Sequence, residues 1–193
     1  MKKLILKKGR EKAILRKHPW IFSGAVQRVE GDPASGETVG VFDSNGQFLA
    51  WAAYSPTSQI RARIWSWEEG ETIDGAFLRK RLERAVALRE AWINIAETSA
   101  FRLVHAESDN LPGLIVDRYE ESLVLQVLSA GIERWQSTIV EILADMLKPK
   151  AIYERSDVSV RELEGLPERT GVLFGELPNQ PMLVKQNGIQ FLV

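Results

Sequence analysis

The sequence predicts a mixed α+β protein in which a small barrel-like β domain precedes an α/β domain. Short β-rich segments separated by turn-forming residues fill the first 67 residues. Two long segments further along the chain carry apolar residues at three- and four-residue spacing, which is typical of amphipathic helices. Strand-like segments flank the second of these in pairs, so we expect the second domain to follow a strand-strand-helix-strand-strand pattern.

The predicted β domain covers residues 1–67. Its strand-like segments read KLILK, WIFSGAV, ETVGVFD, FLAWAAYS and IRARIWSW. Asn45-Gly46 lies between two apolar runs and suits the positive φ angles of a tight hairpin. Residues 9–17 have a helix-forming composition, and Pro19 disfavours helical backbone at the residue before it, so this helix should end there.

The predicted α/β domain covers residues 73–193, and the acidic residues 68–72 before it are interpreted as a linker. One helix is expected from residue 74 to about residue 97, and a second from about residue 132 to residue 147. Asn187-Gly188 is expected to form a hairpin turn into the strand-like segment IQFLV.

Charge is distributed unevenly along the chain. The whole sequence has a net charge of −1, but the first 63 residues carry eleven Lys/Arg against five Asp/Glu, and the rest carry fourteen against twenty-one. A basic module attracts phosphate backbones by counterion release and electrostatic steering. The first domain is therefore a candidate for nucleic-acid binding.

A basic cluster near the start of the chain is followed directly by aromatic side chains. Phosphate contacts need exposed Lys and Arg, and unpaired bases need flat side chains on which to stack. The alternative is a solvated helix face, with the aromatic rings in the core. The cations are Lys2, Lys3, Lys7, Lys8, Arg10, Lys12, Arg16 and Lys17, and the aromatic residues are His18, Trp20 and Phe22.

Two further arginines, Arg61 and Arg63, alternate on the segment IRARIW. Because strand side chains have a period of two, both should lie on one face of the sheet. Two guanidinium groups on one face can hold successive phosphates. The alternatives are ion pairs with carboxylates such as Asp43, or a place on the solvent side of the barrel.

Several classes of chemistry lack the residues they need. There is no cysteine for a disulfide, a thiolate cluster or a nucleophile, and none of the 14 glycines forms a G-x-G loop. No apolar run reaches the roughly 20 residues that span a bilayer. We therefore assign no catalytic, cofactor-binding or metal-binding residue, and expect a cytoplasmic protein with no membrane partner.

Acidic side chains of the second domain do not suggest a catalytic set. Asp109-Asn110 is typical of a turn, and a hydrolytic site built on His105, Glu107 and Asp109 is the least favoured alternative. Asp117 is interpreted as the end of a strand. A charged cluster after the segment AIYERS is interpreted as surface salt bridges, with contact to nucleic acid or a neighbouring domain as the alternative. Its members are Arg155, Asp157 and Arg161.

Several long motifs occur in the order found in a known family. They are KGREKAILRKHPWIFSGAV, YSPTSQIRARIW, AESDNLPGLIVDRY, SLVLQVLSAG, IYERSDVSVRELEG and NGIQFLV. Together they resemble the N-terminal portion of the bacterial 23S ribosomal RNA large subunit methyltransferase I family, which are S-adenosylmethionine-dependent cytosine-5 methyltransferases. The resemblance runs along essentially the whole chain.

The resemblance implies a PUA domain, a small RNA-binding β pseudobarrel, over residues 1–67, and the family's central domain over residues 73–193. It also implies a C-terminal methyltransferase domain in the full-length protein, which would bind S-adenosylmethionine and supply the catalytic cysteines. The motifs of that domain are absent from this sequence. We therefore expect an RNA-binding and positioning portion that is not catalytic by itself, with 23S rRNA and that domain as partners. Whether it forms a homodimer stays open.

The residues that match the family's PUA motifs are expected to contact RNA. The KGRE, HPW and IRAR segments carry the matches, and two further cations of the basic cluster complete the set. The expected RNA-binding residues are Lys7, Lys8, Gly9, Arg10, Arg16, His18, Trp20, Arg61 and Arg63. The alternative function is a free-standing module that binds RNA or protein without methyltransferase activity.

Overall fold

The computed structural model describes residues 2–193, in which two large sheets, a small hairpin and two long helices form most of the regular structure. This confirms the predicted α+β class. Neither of the long helices, nor any other helix in that range, has the length and hydropathy that crossing a membrane requires.

The first domain is a mixed six-stranded sheet that surrounds an apolar core. The strand order is β2-β6-β5-β4-β1-β3, and every neighbouring pair is antiparallel except β1 and β4. Buried side chains from five of the strands and from helix α1 meet in one cluster. The elements are β1 (Lys3–Leu6), α1 (Lys12–Leu15), β2 (Trp20–Phe22), β3 (Val26–Glu30), β4 (Thr38–Phe42), β5 (Phe48–Tyr54) and β6 (Ile60–Ser66).

The second domain packs two long helices on a five-stranded sheet of order β11-β10-β9-β8-β7. Only β9 and β10 are parallel, and α3 makes the crossover between them. Strands β8 and β9, helix α3 and strands β10 and β11 reproduce the predicted pattern. The elements are α2 (Gly75–Trp92), β7 (Ala100–His105), β8 (Leu114–Tyr119), β9 (Ser122–Val127), α3 (Ala130–Leu147), β10 (Ala151–Ser156), α4 (Val160–Leu163), β11 (Arg169–Gly175), β12 (Leu183–Gln186) and β13 (Ile189–Leu192).

The two long helices start at side chains that cap them. The Asp74 carboxylate accepts the Phe77 amide at 2.9 Å, and the Ser129 hydroxyl accepts the Ile132 amide at 3.4 Å. Helix α2 ends at Trp92, earlier than the expected residue 97. The reason is Asn94, whose side-chain oxygen accepts the Ala96 amide and so competes with the helical hydrogen bond.

The last turns of α2 also correct an expectation about packing. Leu88 and Trp92 fit the apolar periodicity, but they are 50% and 83% exposed. Only the first two-thirds of the helix lies on the sheet, with Leu82 and Val86 buried there. Periodicity indicates which side chains share a face, and it does not show how far along the helix the neighbouring layer extends.

Two side chains of the first domain extend the apolar core of the second domain across the junction. Ala53 of β5 and Trp65 of β6 belong to the buried cluster that α2, α3 and the second sheet form, and the Trp65 ring lies edge-on to Phe77 with centroids 6.4 Å apart. Gly131 permits this approach, because a Cβ atom there would lie 2.4 Å from the Cβ of Ala53. The outer face of β5 and β6 is therefore covered by the second domain.

A buried ion pair crosses the same junction. Arg63 of β6 donates to Glu164 at 2.7 Å, and their side chains are only 10% and 1% exposed. The second oxygen of Glu164 accepts the backbone amide of Ala130, the first residue of α3, at 3.3 Å. A carboxylate is favoured at that helix terminus by the helix dipole. Glu164 thus links β6 to the start of α3.

We expect Glu164→Ala to lower the free energy of unfolding by about 3–5 kcal/mol, because it leaves the Arg63 guanidinium buried without its partner. Urea unfolding followed by tryptophan fluorescence measures this. Glu164→Gln is the matched control: it keeps the size and one oxygen that can accept from Arg63, but its NH2 group cannot accept the Ala130 amide, so it should lose less than Glu164→Ala. An unfolding free energy for Glu164→Ala within about 1 kcal/mol of the parent chain would contradict the assignment.

Candidate functional site

A tight turn begins the basic segment. The Arg10 amide donates to the Lys7 carbonyl at 3.1 Å, and Gly9 has a φ of +82°. A turn with positive φ at its third residue favours glycine, which explains Gly9 in the KKGR sequence. Lys7, Lys8 and Arg10 are all exposed around it, and the Lys7 ammonium donates to the Gly24 carbonyl at 3.0 Å.

Helix α1 follows the turn and is held by one buried side chain. It covers Lys12–Leu15, shorter than the expected residues 9–17, because the turn precedes it and Lys17, with a φ of +64°, closes it. Ile14 is buried in the core of the first domain, and the Trp67 indole donates to its carbonyl at 3.1 Å. This anchoring leaves Lys12 and Arg16 exposed on the outer side of the helix.

Two rings of β2 and the ring of His18, two residues before it, form a cluster beside this helix. The centroids of Trp20 and Phe22 are 6.3 Å apart, and His18 lies 6.0 Å from Trp20. The His18 ring nitrogen Nδ1 accepts the Trp20 amide at 3.2 Å. A shallow groove between these rings and the turn is lined by Arg10, Ala13, Ile14, Trp20, Ile21 and Phe22, with Gly24 and Ala25 at its end.

The rings differ in how accessible they are. Phe22 is 50% exposed. Trp20 is partly buried, and its indole nitrogen donates to Glu107 of the second domain at 2.7 Å. Phe22 is therefore the side chain best placed for stacking, although the expected set contained Trp20. Strand alternation could have identified Phe22, because residues 20 and 22 share a face of β2.

None of the six cations in residues 7–17 forms an ion pair with a carboxylate anywhere in residues 2–193. This contrasts with the second domain, where most arginines are paired. We call the six cations together with Gly9, His18, Trp20 and Phe22 the basic surface. The cations are Lys7, Lys8, Arg10, Lys12, Arg16 and Lys17. An exposed cluster of unpaired positive charge beside an accessible ring is suited to a polyanion that carries flat groups.

The two strand arginines do not join the basic surface. Arg61 donates to the Pro56 carbonyl and is partly buried. Arg63 is buried at the domain junction against Glu164, so its placement on an exposed binding face is corrected. The expectation that both lie on one face of β6 agrees with the structure, but the second domain covers that face around Arg63 and Trp65.

The acidic residues considered above have structural partners. Asp109 is buried, receives two hydrogen bonds from the Arg89 guanidinium at 2.6 and 2.7 Å, and accepts the His105 amide at 2.6 Å. Asp117 pairs with Arg102 at 2.9 Å. These contacts agree with the interpretation that the carboxylates stabilise turns and strands rather than form a catalytic set.

Arg161 corrects the prediction of a surface charge cluster. It is fully buried and donates to the Val127 carbonyl at 2.6 Å, the Pro167 carbonyl at 2.7 Å and the Glu133 carboxylate at 3.1 Å. Its role is to join the loop after α4 to the end of β9. Arg155 does lie on the surface, 3.8 Å from Asp157.

Comparisons with known proteins bear on both domains. Residues 4–67 match the family model of the PUA-like domain. Over 191 residues the chain is 50% identical to proteins named ribosomal RNA large subunit methyltransferase I from Yersinia pseudotuberculosis and Yersinia pestis. The alignment covers 99% of this chain but 48% of each relative. The chain thus spans about half the length of the curated relatives it matches.

Solved structures show the same fold at low sequence identity. A chain from Streptococcus mutans assigned as a SAM-dependent methyltransferase superposes with a TM-score of 0.81, and an assigned methyltransferase crystallised with SAH superposes with 0.83. Both are 18% identical and cover 100% of this chain, which covers 48% and 47% of theirs. Residues 4–67 are therefore similar to the PUA-like domain, and nearly the whole chain is similar to about half of the proteins named ribosomal RNA large subunit methyltransferase I.

Proposed function

We propose that this chain is the RNA-binding and positioning portion of a SAM-dependent 23S rRNA (cytosine-5) methyltransferase, acting in the cytoplasm. The observation that carries the proposal is the basic surface, whose six cations have no ion-pair partner in residues 2–193 and which lies beside the exposed Phe22 ring. Unpaired cations that neutralise phosphates displace the counterions condensed on the RNA, and an exposed ring can stack on an unpaired base.

We assign the residues of the basic surface to different parts of the RNA according to their chemistry. Lys8, Arg10 and Arg16 project from the turn and from α1, and we assign them to phosphates. Gly9 is assigned to shaping the turn that presents Lys8 and Arg10, through its φ of +82°. Phe22 is assigned to a base. Lys7 and His18 have partners in the protein, Gly24 and Trp20, so we assign them to shaping the surface.

The junction between the two domains positions the bound RNA relative to the second domain. Three contacts tie the first domain to the second: the burial of Trp65, the Arg63–Glu164 pair and the Trp20–Glu107 hydrogen bond. RNA held on the basic surface therefore has a fixed orientation relative to anything that the second domain carries. Fixing a substrate in this way removes part of the entropic barrier to reaction.

The residues of this chain do not fit a binding site for the methyl donor S-adenosylmethionine (SAM). SAM binding on a Rossmann-like sheet uses a glycine-rich loop between a strand and a helix, and the sequence has no G-x-G. We place SAM and the chemistry in the half of the relatives that the chain does not match. The β12–β13 hairpin supports contact with such a domain, because its Ile189, Phe191 and Leu192 side chains are 63%, 46% and 72% exposed.

We expect the double variant Lys8→Ala/Arg10→Ala to bind a 23S rRNA transcript more weakly and with a flatter salt dependence. Each lost phosphate contact should reduce the slope of log K against log salt concentration by about one unit. A filter-binding titration between low and physiological salt measures both quantities.

The matched control is Lys150→Ala/Arg155→Ala, which removes the same charge from exposed positions around β10. It should leave the slope close to that of the parent chain. If the parent chain binds no RNA, or if both double variants change equally, the basic surface is not the RNA site and a protein-binding role becomes the better explanation.

We expect Phe22→Ala to weaken RNA binding by about 1–3 kcal/mol without changing the salt slope, because it removes a stacking ring and no charge. Phe191→Ala is the control, since Phe191 has a similar exposure of 46% against 50% but lies on β13 of the second domain. The same titration separates the two effects. An altered salt slope for Phe22→Ala, or equal losses for both variants, would contradict the assignment.

A further inference from the structure

A second group of cations lines a cleft where the two domains meet. One wall comes from the end of α1 and the residue that follows β6, and the other comes from helix α2 and the turn after β7. Both domains are needed to form it. The side chains that carry the argument are Lys17, Trp67, Lys80, Arg81, Arg84 and Asn110.

Positive charges of this cleft are exposed to solvent and can contact a ligand. Lys80 and Arg84 are exposed and lie one turn apart on α2, so they point to the same side. Like Lys17, they form no ion pair within residues 2–193. The Lys17 ammonium lies 5.0 Å from the centre of the Trp67 ring, which holds it at the boundary between the basic surface and the cleft.

The acidic groups of the cleft leave an excess of positive charge. Glu71 and Glu68 face the four cations, and Glu71 accepts a hydrogen bond from Ser66 and lies 4.0 Å from Arg81. Burial lowers the pKa of Arg81 from its ordinary value, Glu71 opposes this effect, and repulsion from Arg84 adds to it. Four cations and two carboxylates therefore line the cleft.

We infer that this cleft binds phosphates of the RNA strand that the basic surface holds, so that the second domain contacts RNA directly through Lys80 and Arg84. The inference rests on the proposed function. Lys17 belongs to both the basic surface and the cleft, so the two groups of cations adjoin at the end of α1. Guanidinium and ammonium groups from two domains that converge on one groove match successive phosphates of a single backbone.

The test is the double variant Lys80→Ala/Arg84→Ala in the 193-residue chain, titrated with a 23S rRNA transcript over a salt series. Both positions are exposed on a helix and alanine is the best helix former, so the fold should persist. We expect binding about tenfold weaker at physiological salt and a slope reduced by about one unit per contact. The control Lys150→Ala/Arg155→Ala should keep the parent affinity and slope.

The outcomes separate this inference from the proposed function. If Lys80→Ala/Arg84→Ala behaves like the control while Lys8→Ala/Arg10→Ala loses affinity, the proposed function stands and the cleft is not an RNA site. If the parent chain binds no RNA, the proposed function fails and the inference fails with it. Weaker binding by both cation variants, with the control unchanged, supports a single strand that crosses both domains.

Discussion

The buried junction between the two domains is the constraint on which the rest of the structure depends. Arg63 and Glu164 have almost no solvent exposure, so each needs the other to offset the cost of removing its charge from water. Trp65 fills the adjoining space in a core that belongs to both domains. Separating the domains would expose that core as well as the ion pair. The junction is therefore part of the fold, and the positions of surface groups in one domain are fixed relative to those in the other.

Strand β6 shows how one element serves both cores. Ala62 and Ile64 point into the first domain, whereas Arg63 and Trp65 point into the junction. The two-residue period of a strand predicts this division, and it correctly groups Arg61 with Arg63. It cannot predict what covers the outer face. In an isolated barrel that face would be in water and the arginines would be free to bind phosphates; here a carboxylate about one hundred residues away in the sequence occupies Arg63.

Sequence patterns report on neighbouring residues and not on distant elements, and this difference explains which features the sequence predicted. Hairpins at Asn45-Gly46 and Asn187-Gly188 depend on backbone conformations that neighbouring residues determine, and both are confirmed by the pairing of β4 with β5 and of β12 with β13. Arg161 looked like a surface charge because its sequence neighbours are polar, yet it is buried by contacts with residues on β9 and α3. Local chemistry predicts turns and strands, while burial of a polar side chain depends on elements that are distant in the sequence.

Unpaired charge sets the basic surface and two cations of α2 apart from the paired arginines of the second domain. Arginines of the second domain such as Arg89 and Arg102 are neutralised by carboxylates, whereas the cations of residues 7–17 and the pair on α2 are not. Like charges gathered on one side repel each other and cost stability, so a polyanion that crosses them gains from relieving that repulsion as well as from its own contacts. The rigid junction adds to this gain. Folding already fixes the cations of α1 relative to those of α2. An RNA backbone that binds across both domains therefore carries no entropic cost for ordering the domains.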